Sequence, residues 1–340
     1  MAEPQSTGQK RINQLDALRG FALAGIVMFN IVQMTHLPRP VGDSRDHVGA
    51  YVWELLFIQR PFPIFSLLFG VSFALFLRSA EKRTAHPRLV LLRRLLWLGV
   101  FGALHTIVQE GEVLKFYAIA GIVVLLPATY LSRRWHLWLG VVLLLAAALT
   151  FNGVAIIPGL FLLGMAATEY GIPDTLDRRG RQLRIAFGIA VVLSIGAAVL
   201  QWRAGVGPSA QFRVLPMGLV FAFLFTTGFL LLLRTPARRV LEPLFAPMGR
   251  MALTNYILAS FLILAADAML DIGDHGRYAT VVWVGVAIGV VQAIISPIWL
   301  REFRYGPLEW VWRCLTWWAP VPNRRVGAQE SPEKGKEAFI

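Results

Sequence analysis

Ten apolar segments, each about long enough to cross a bilayer, constrain the fold of this chain more than any other feature. They lie at residues 17–34, 61–78, 89–108, 113–131, 135–151, 154–170, 184–202, 213–233, 250–270 and 279–300. A segment in hydrocarbon must satisfy its own backbone hydrogen bonds, which segments of this length do as α-helices. The chain is 56% hydrophobic and only 16% charged, as is typical of a polytopic membrane protein. We therefore predict an all-α membrane bundle of about ten transmembrane helices in one domain, 1–320, with a disordered cytosolic tail, 321–340.

The basic residues bear on topology rather than on nucleic acid. The formal net charge is +13, but the Lys and Arg residues stand in short clusters between the apolar segments and form no continuous basic face, so we expect no nucleic-acid partner. Most of these clusters fall on one side if the N-terminus is cytoplasmic. The positive-inside rule then predicts that both termini lie in the cytoplasm (N-in/C-in). The single cysteine, Cys314, excludes an intramolecular disulfide.

The first apolar segment carries three polar residues, Asp16, Arg19 and Asn30. At 100° per residue, Arg19 and Asn30 fall about 20° apart and Asp16 lies within about 60° of both, so the three share one helix face. Ionisable groups inside a membrane are costly and usually face a bundle interior or a wet cavity, which makes this stripe a candidate functional site. The alternative is that Asp16 and Arg19 pair with each other at the level of the headgroups.

The other polar residues of interest divide into two groups by their depth in the predicted topology. Near the outer ends of the first, third and fourth helices lie Asn30, His36, His105, Glu110 and Glu112. Near the inner ends lie Asp16, Arg19, Arg250 and Asn255. A histidine beside carboxylates is the composition of a general-base site, because a carboxylate orients the imidazole and stabilises its charged form. The alternative is a solvated Glu110–Glu112 loop beside a packing histidine, His105.

Several classes of site are not indicated. The chain has no phosphate-binding Walker loop, no dinucleotide fingerprint, no H-E-x-x-H and no G-x-S-x-G sequence. Its six histidines are scattered without metal-ligand spacing. We predict no metal site and no bound cofactor.

Five motifs, in the same order along the chain, resemble one known family. They are LDALRGFALAGIVMFN at 15–30, PIFSLLFGVSFAL at 63–75, LGVFGALHTIVQEGEVLKFYAIAG at 98–121, GRMALTNYIL at 249–258 and GPLEWVWR at 306–313. Together they closely resemble the YeiB-like family of bacterial inner-membrane proteins, whose C-terminal half is catalogued as a domain of unknown function. The resemblance places motif-bearing helices at 17–131 and a C-terminal motif region at 240–318. It implies a multi-pass protein of the bacterial inner (plasma) membrane.

The resemblance also implies an activity. By its first-helix motif the family is grouped with transmembrane acyltransferases, such as the enzymes that O-acetylate bacterial surface sugars and the lysosomal heparan-α-glucosaminide N-acetyltransferase. In the O-acetylating enzymes a catalytic histidine follows the arginine by eleven residues, and the corresponding position here is Asn30. The lysosomal enzyme also looks to have asparagine there, with its histidine further on. His36 and His105 are therefore the two candidates for the base.

We accordingly predict a membrane-embedded acyltransferase that moves an acetyl-like group to a lipid, glycan or metabolite acceptor, with acyl-CoA as the co-substrate. The candidate catalytic residues are His105, His36, Glu112 and Asn30. The candidate substrate-binding residues are Asp16, Arg19, Glu110, Arg250 and Asn255. The two arginines among them would suit an anionic cytosolic donor. The alternatives are a transporter or permease and a non-catalytic scaffold. The expected partners are the lipid bilayer and the acceptor molecule. Whether the protein forms a homo-oligomer is left open.

Overall fold

The computed structural model describes residues 7–43, 45, 47–150, 153–206, 215–275 and 277–325, and these residues are predominantly helical. In the first half the long helices are α1 (Thr7–Met34), α2 (Val48–Phe57), α3 (Pro61–Glu81), α4 (Pro87–His105), α5 (Leu114–Ala128), α6 (Arg133–Thr150) and α7 (Ile156–Glu169). In the second half they are α8 (Gly180–Ala204), α9 (Leu215–Leu232), α10 (Arg238–Arg250), α11 (Ala252–Leu270), α12 (Tyr278–Glu302) and α13 (Pro307–Trp317). The described residues contain two isolated β-bridges and no strand.

The structure confirms the prediction of an all-helical fold that contains apolar helices long enough to cross a membrane. By length and hydropathy, five helical runs among the described residues could cross a membrane, namely Asn13–Met34, Val48–Glu81, Gly180–Ala204, Ala252–Leu270 and Tyr278–Glu302. A sixth is added if Gly153–Glu169 and Ile172–Arg178, which are bent by 53°, form one span. Each of the ten predicted segments overlaps one of the long helices. The other overlapping helices are shorter, or, like α4, carry several arginines.

Proline sets where several helices begin. Pro61, Pro87 and Pro307 occupy the first helical position of α3, α4 and α13. At this position the missing N–H has no intrahelical partner to lose, and the fixed φ suits the helix. Arg60, between α2 and α3, is completely buried. Its guanidinium donates to the backbone oxygens of Leu55 and Ile58, which α2 leaves unpaired at its end.

The first helix is the central element of the bundle. α1 contacts α3, α10, α11 and α12. Lipid is as apolar as a buried leucine, so helices in a membrane associate through close packing, which small residues allow. Gly20 and Gly249 provide this packing where α1 crosses α10: a Cβ on Gly20 would collide with the carbonyl oxygen of Phe245, and one on Gly249 with that of Asp16.

The end of the described chain folds back on α12. Residues 321–325 were predicted to begin the tail, but Arg304 and Tyr305 donate their backbone N–H groups to Asn323, and Arg325 donates its own to Glu302. The remainder of the predicted tail, 326–340, lies outside the described residues.

Candidate functional site

Four buried polar side chains meet where α4 ends, and we call them the His105 cluster: His105, Gln109, Glu112 and Ser260. The Nδ1 atom of His105 hydrogen-bonds a carboxylate oxygen of Glu112, and Nε2 lies 3.0 Å from the Ser260 hydroxyl oxygen. That hydroxyl also lies 3.1 Å from Oε1 of Gln109. The exposed fractions are 4% for His105, 1% for Gln109 and zero for Glu112 and Ser260. A buried histidine thus bridges a carboxylate and a serine hydroxyl.

The local sequence brings His105 and Glu112 together. α4 ends at His105, and the carbonyl of His105 accepts the backbone N–H groups of Val108 and Gln109, which turns the chain back. Glu112 then accepts the N–H of Leu114 at the start of α5. α5 runs close to α4 because Gly102 has no side chain: a Cβ there would lie 2.6 Å from the backbone nitrogen of Lys115.

The Gln109 amide controls the direction of the hydrogen bonds in the cluster. As placed, Ser260 donates to Oε1 of Gln109, so His105 Nε2 must carry a proton and donate to Ser260. Nε2 of Gln109 has no partner among the described residues. If the amide is turned over, its N–H donates to Ser260, and Ser260 donates to His105 instead. The two arrangements differ in whether Nε2 of His105 carries a proton, and Ser260 keeps its hydroxyl proton in both.

An apolar cavity of about 280 Å³ lies beside this cluster. Its wall includes Ile26, Phe62, Phe65, Phe69, Tyr117 and Val154, with Asn30, Gln33 and Gln59 as polar members. Tyr256 also lines this cavity, and its ring lies 5.2 Å from the His105 ring in an edge-on arrangement. Tyr256 therefore borders both the apolar cavity and the His105 cluster. The Nδ2 atom of Asn30 has no partner among the described residues.

A second cavity, of about 200 Å³, lies toward the other end of α1 and contains three arginines. This arginine cavity is lined by Arg19, Arg94, Arg250, Ser72, Glu309 and Trp312, among others. Arg19 pairs with Asp16 at 2.6 Å and donates to the Ser72 hydroxyl at 2.7 Å. The Arg94 guanidinium lies 3.6 Å from the centroid of the Trp312 ring.

Glu309 carries the negative charge on the wall of the arginine cavity, but it is directed toward α11. Its carboxylate accepts the backbone N–H groups of Leu253 and Thr254, at 2.7 and 3.0 Å, and the Thr254 hydroxyl at 2.6 Å. Burial raises the pKa of this carboxyl, and the hydrogen bonds from Thr254 and Leu253 act in the opposite direction. The anion is thus used to cap the first turn of α11.

The structure brings some of the predicted site residues together. His105 and Glu112 are paired, Asn30 lines the apolar cavity, and Arg19 and Arg250 line the arginine cavity. Asp16, 8% exposed, reaches the arginine cavity through its ion pair with Arg19.

Three predicted residues lie elsewhere. His36 is exposed in the loop after α1, with a left-handed backbone (φ 52°). Glu110 is also exposed. It lies two residues before Glu112, and the turn that directs Glu112 inward directs Glu110 to the surface. Asn255 is buried between helices, where its amide donates to the Met248 carbonyl and to the Ser296 hydroxyl. The described residues hold no group of three or more His, Cys, Asp or Glu that could bind a metal ion.

Sequence reasoning missed Ser260, Gln109, Arg94 and Trp312 as members of these sites. Two signals were present. Ser260 interrupts the apolar segment 250–270, and Arg94 lies inside the apolar segment 89–108. A polar residue inside such a segment is by default a functional candidate. The partners, however, come from distant parts of the chain.

A helical bundle with membrane-capable helices and buried ionisable groups defines a helical membrane protein with an internal polar site. The chain is 35% identical over 330 residues to the uncharacterized 39.9 kDa protein in the amylase 3' region of Bacillus acidopullulyticus, covering 91% of this chain and 94% of that protein. It is 26% identical over 400 residues to the uncharacterized protein YxaH of Bacillus subtilis, covering 95% and 98% respectively. It therefore belongs to the YeiB-like family.

Two further comparisons agree with this assignment. Residues 167–319 match the family model described as a protein of unknown function, DUF418. The uncharacterized protein YeiB of Escherichia coli is 38% identical over 77 residues, which are 23% of this chain and 20% of that protein. No solved structure matches the chain.

Proposed function

We propose that this protein is a membrane-embedded acyltransferase in which the His105 cluster is the general base. The observation that carries the proposal is the bridge from Glu112 through His105 to the Ser260 hydroxyl. A carboxylate on Nδ1 fixes the ring and stabilises the imidazolium that forms when Nε2 takes a proton. Burial of the whole cluster keeps water from competing with the acceptor.

Ser260 is assigned the role of a proton relay. Both ring nitrogens of His105 have partners inside the protein, so a proton reaches the ring from the Ser260 hydroxyl. The acceptor hydroxyl or amine gives its proton to the Ser260 oxygen as the original Ser260 proton passes to Nε2. The acceptor attacks the acyl carbonyl carbon, the carbon–sulfur bond of the donor thioester breaks, and the imidazolium returns the proton through the Ser260 hydroxyl to the leaving thiolate. Gln109 supports both hydroxyl orientations, because an amide can accept from or donate to Ser260.

The arginine cavity is assigned to the donor. Acyl-CoA is anionic and cytosolic, and guanidinium groups bind phosphates with paired hydrogen bonds. Arg19, Arg94 and Arg250 line this cavity, with Glu309 turned away from its centre. Under this proposal the cavity opens toward the cytoplasm, and Asn30 lies on the acceptor side of the membrane.

The decisive experiment uses purified protein in nanodiscs with acetyl-CoA or palmitoyl-CoA as the donor. Release of free CoA thiol and transfer of labelled acyl group to lipid are measured together. We expect turnover by the wild type, its loss in His105→Gln, and near-normal turnover in His136→Gln, a matched control in a second buried histidine. If correctly folded wild type releases no thiol with either donor, the acyltransferase proposal fails and the transporter alternative takes its place.

The proposed topology is ten spans in the bacterial inner membrane with both termini in the cytoplasm. It is supported by the charge clusters and by the overlap of each apolar segment with a helix. Reporter fusions after Arg134 and after Asp274 test it. We expect cytoplasmic reporter activity at Arg134 and periplasmic activity at Asp274, and the opposite result at either position would overturn the topology.

A further inference from the structure

The two cavities are neighbours that share one wall. Phe65, Phe69, Ala252, Leu253 and Trp312 line both the apolar cavity and the arginine cavity. A single layer of side chains therefore separates the two cavities, and a ligand that occupied both would pass between these side chains. One ligand with a charged end and an apolar end would occupy both.

The arginine cavity fits a phosphate-bearing group. Three guanidinium groups line it against one carboxylate, and Glu309 directs that carboxylate toward α11. Arg19 already has Asp16, but no hydrogen bond or ion pair from the Arg94 guanidinium is found within the described part of the chain. Its contacts there are with the rings of Trp312 and Phe76, at 3.6 and 4.6 Å. Arg94 is thus held by aromatic rings at the shared wall with its hydrogen-bond donors available to an anion.

The apolar cavity is larger than an acetyl group requires. A water-sized group takes up about 30 Å³ when packed as in a liquid, so a cavity of about 280 Å³ has room for roughly nine groups of that size. Its wall is largely aromatic and aliphatic. An acetyl group, with three heavy atoms, would leave most of it empty, whereas an extended hydrocarbon chain would fill it.

We infer that the ligand is an amphiphile whose phosphate-bearing head binds Arg94 and its neighbours while a hydrocarbon chain much longer than acetyl occupies the apolar cavity. Two sources have this chemistry, a long-chain acyl-CoA from the cytosol and an anionic phospholipid from the bilayer. The inference rests on the proposed function only in making the long-chain acyl-CoA, where that is the bound source, the acyl donor. Binding itself can be measured without turnover.

Head and chain are tested by separate variants in a binding assay. A fluorescent palmitoyl-CoA analogue is bound to protein in zwitterionic nanodiscs, then displaced by palmitoyl-CoA, butyryl-CoA or phosphatidic acid. Arg94→Gln should weaken binding of both CoA esters about tenfold or more, because a charge-assisted contact is lost. The control is Arg93→Gln, since Arg93 stacks on Trp318 and does not line the arginine cavity. Arg93→Gln should bind as the wild type does.

The chain is tested by filling the apolar cavity. Val154→Phe and, independently, Ile26→Phe add bulk to its wall at positions that do not line the arginine cavity. Each should reduce the preference for palmitoyl-CoA over butyryl-CoA about tenfold, and a thermal unfolding measurement checks that each variant is folded. Stronger displacement by palmitoyl-CoA than by phosphatidic acid identifies the cytosolic source, and the reverse identifies the bilayer lipid.

The outcomes separate this inference from the proposed function. Equal affinity for palmitoyl-CoA and butyryl-CoA, unchanged in both cavity-filling variants, would overturn the inference even if the protein turns over acyl-CoA. Tight, chain-dependent binding without thiol release would leave the inference standing and overturn the acyltransferase. If Arg93→Gln weakens binding as much as Arg94→Gln, the arginine cavity is not the head site and the inference fails.

Discussion

Two buried histidines in this protein each hold a glutamate on Nδ1, and they differ in the partner of Nε2. His105 pairs with Glu112 and has the Ser260 hydroxyl 3.0 Å from Nε2. His136, on α6, lies 2.6 Å from Glu169, and its Nε2 lies 2.8 Å from the Ala128 carbonyl oxygen. A carbonyl can only accept, so Nε2 of His136 must keep its proton, whereas a hydroxyl can both give and take one.

Under the proposed function, this difference separates a structural pair, His136–Glu169, from a reactive one, His105–Glu112. His136 joins the end of α5, through Ala128, to the end of α7, through Glu169, and the Ala128 carbonyl on Nε2 cannot pass a proton onward. His105 joins the end of α4 to α11, and its serine adjoins Tyr256, which lines a cavity. A histidine–carboxylate pair is therefore weak evidence for catalysis until the second ring nitrogen is examined.

The largest expected effect is the difference in turnover between two single variants, His105→Gln and His136→Gln. His105→Gln should lower acyl transfer by about 10²–10⁴-fold, the usual cost of losing a general base. His136→Gln should leave it within a few-fold of wild type. The measurement is thiol release from acyl-CoA in nanodiscs, after size-exclusion profiles establish that both variants fold. Comparable losses in both variants would remove the distinction between the pairs.

The carboxylates give the second largest effect. Glu112→Gln keeps a hydrogen-bonding side chain but removes the charge that stabilises the imidazolium, so turnover should fall on the order of 10²-fold. Glu169→Gln is the matched control and should have little effect on turnover. The measurement is the initial rate of acyl transfer by both variants at several pH values. An active Glu112→Gln variant would mean that the charge of the pair serves folding alone.

The serine gives a smaller effect that tests the relay. Ser260→Ala removes the hydroxyl between His105 and the acceptor, and we expect turnover to fall about 10–100-fold as a water replaces the relay less efficiently. Ser260→Thr retains a hydroxyl and should recover part of the rate. Mass spectrometry of wild type incubated with acyl-CoA alone provides the counter-test: an acyl group covalently attached to Ser260 would contradict the relay and make the serine a nucleophile.

The smallest effect is one of stability. His136→Ala leaves the Ala128 carbonyl and Glu169 without their partner, which costs about 1–3 kcal/mol. Because Glu169 is partly exposed, water compensates some of this loss. We expect a lower unfolding temperature in detergent with turnover unaffected. A variant as stable as wild type would show that the pair does not join α5 to α7 energetically.

The sequence predicts the helices well because hydrophobic periodicity and length are local properties. The pairing of His105 with Glu112 was also within reach, since only seven residues separate them and the chain must turn between two apolar segments. Ser260 was not, because it lies 155 residues from His105 and depends on which helix packs beside α4. The burial of Arg94 against Trp312 was missed for the same reason. The roles of these residues stay predictions.

The crossing of α1 and α10 at Gly20 and Gly249 has a consequence for biosynthesis. Arg19 donates to the Gly249 carbonyl oxygen at 3.4 Å, a contact between residues 230 positions apart. At usual translation speeds that distance corresponds to roughly 10–50 s. During this interval the nascent α1 has Asp16 for its arginine, and then Ser72 once α3 has been made. The Asp16–Arg19 pair thus gives the arginine of α1 a partner within its own helix before α10, which packs against Gly20, has been synthesised.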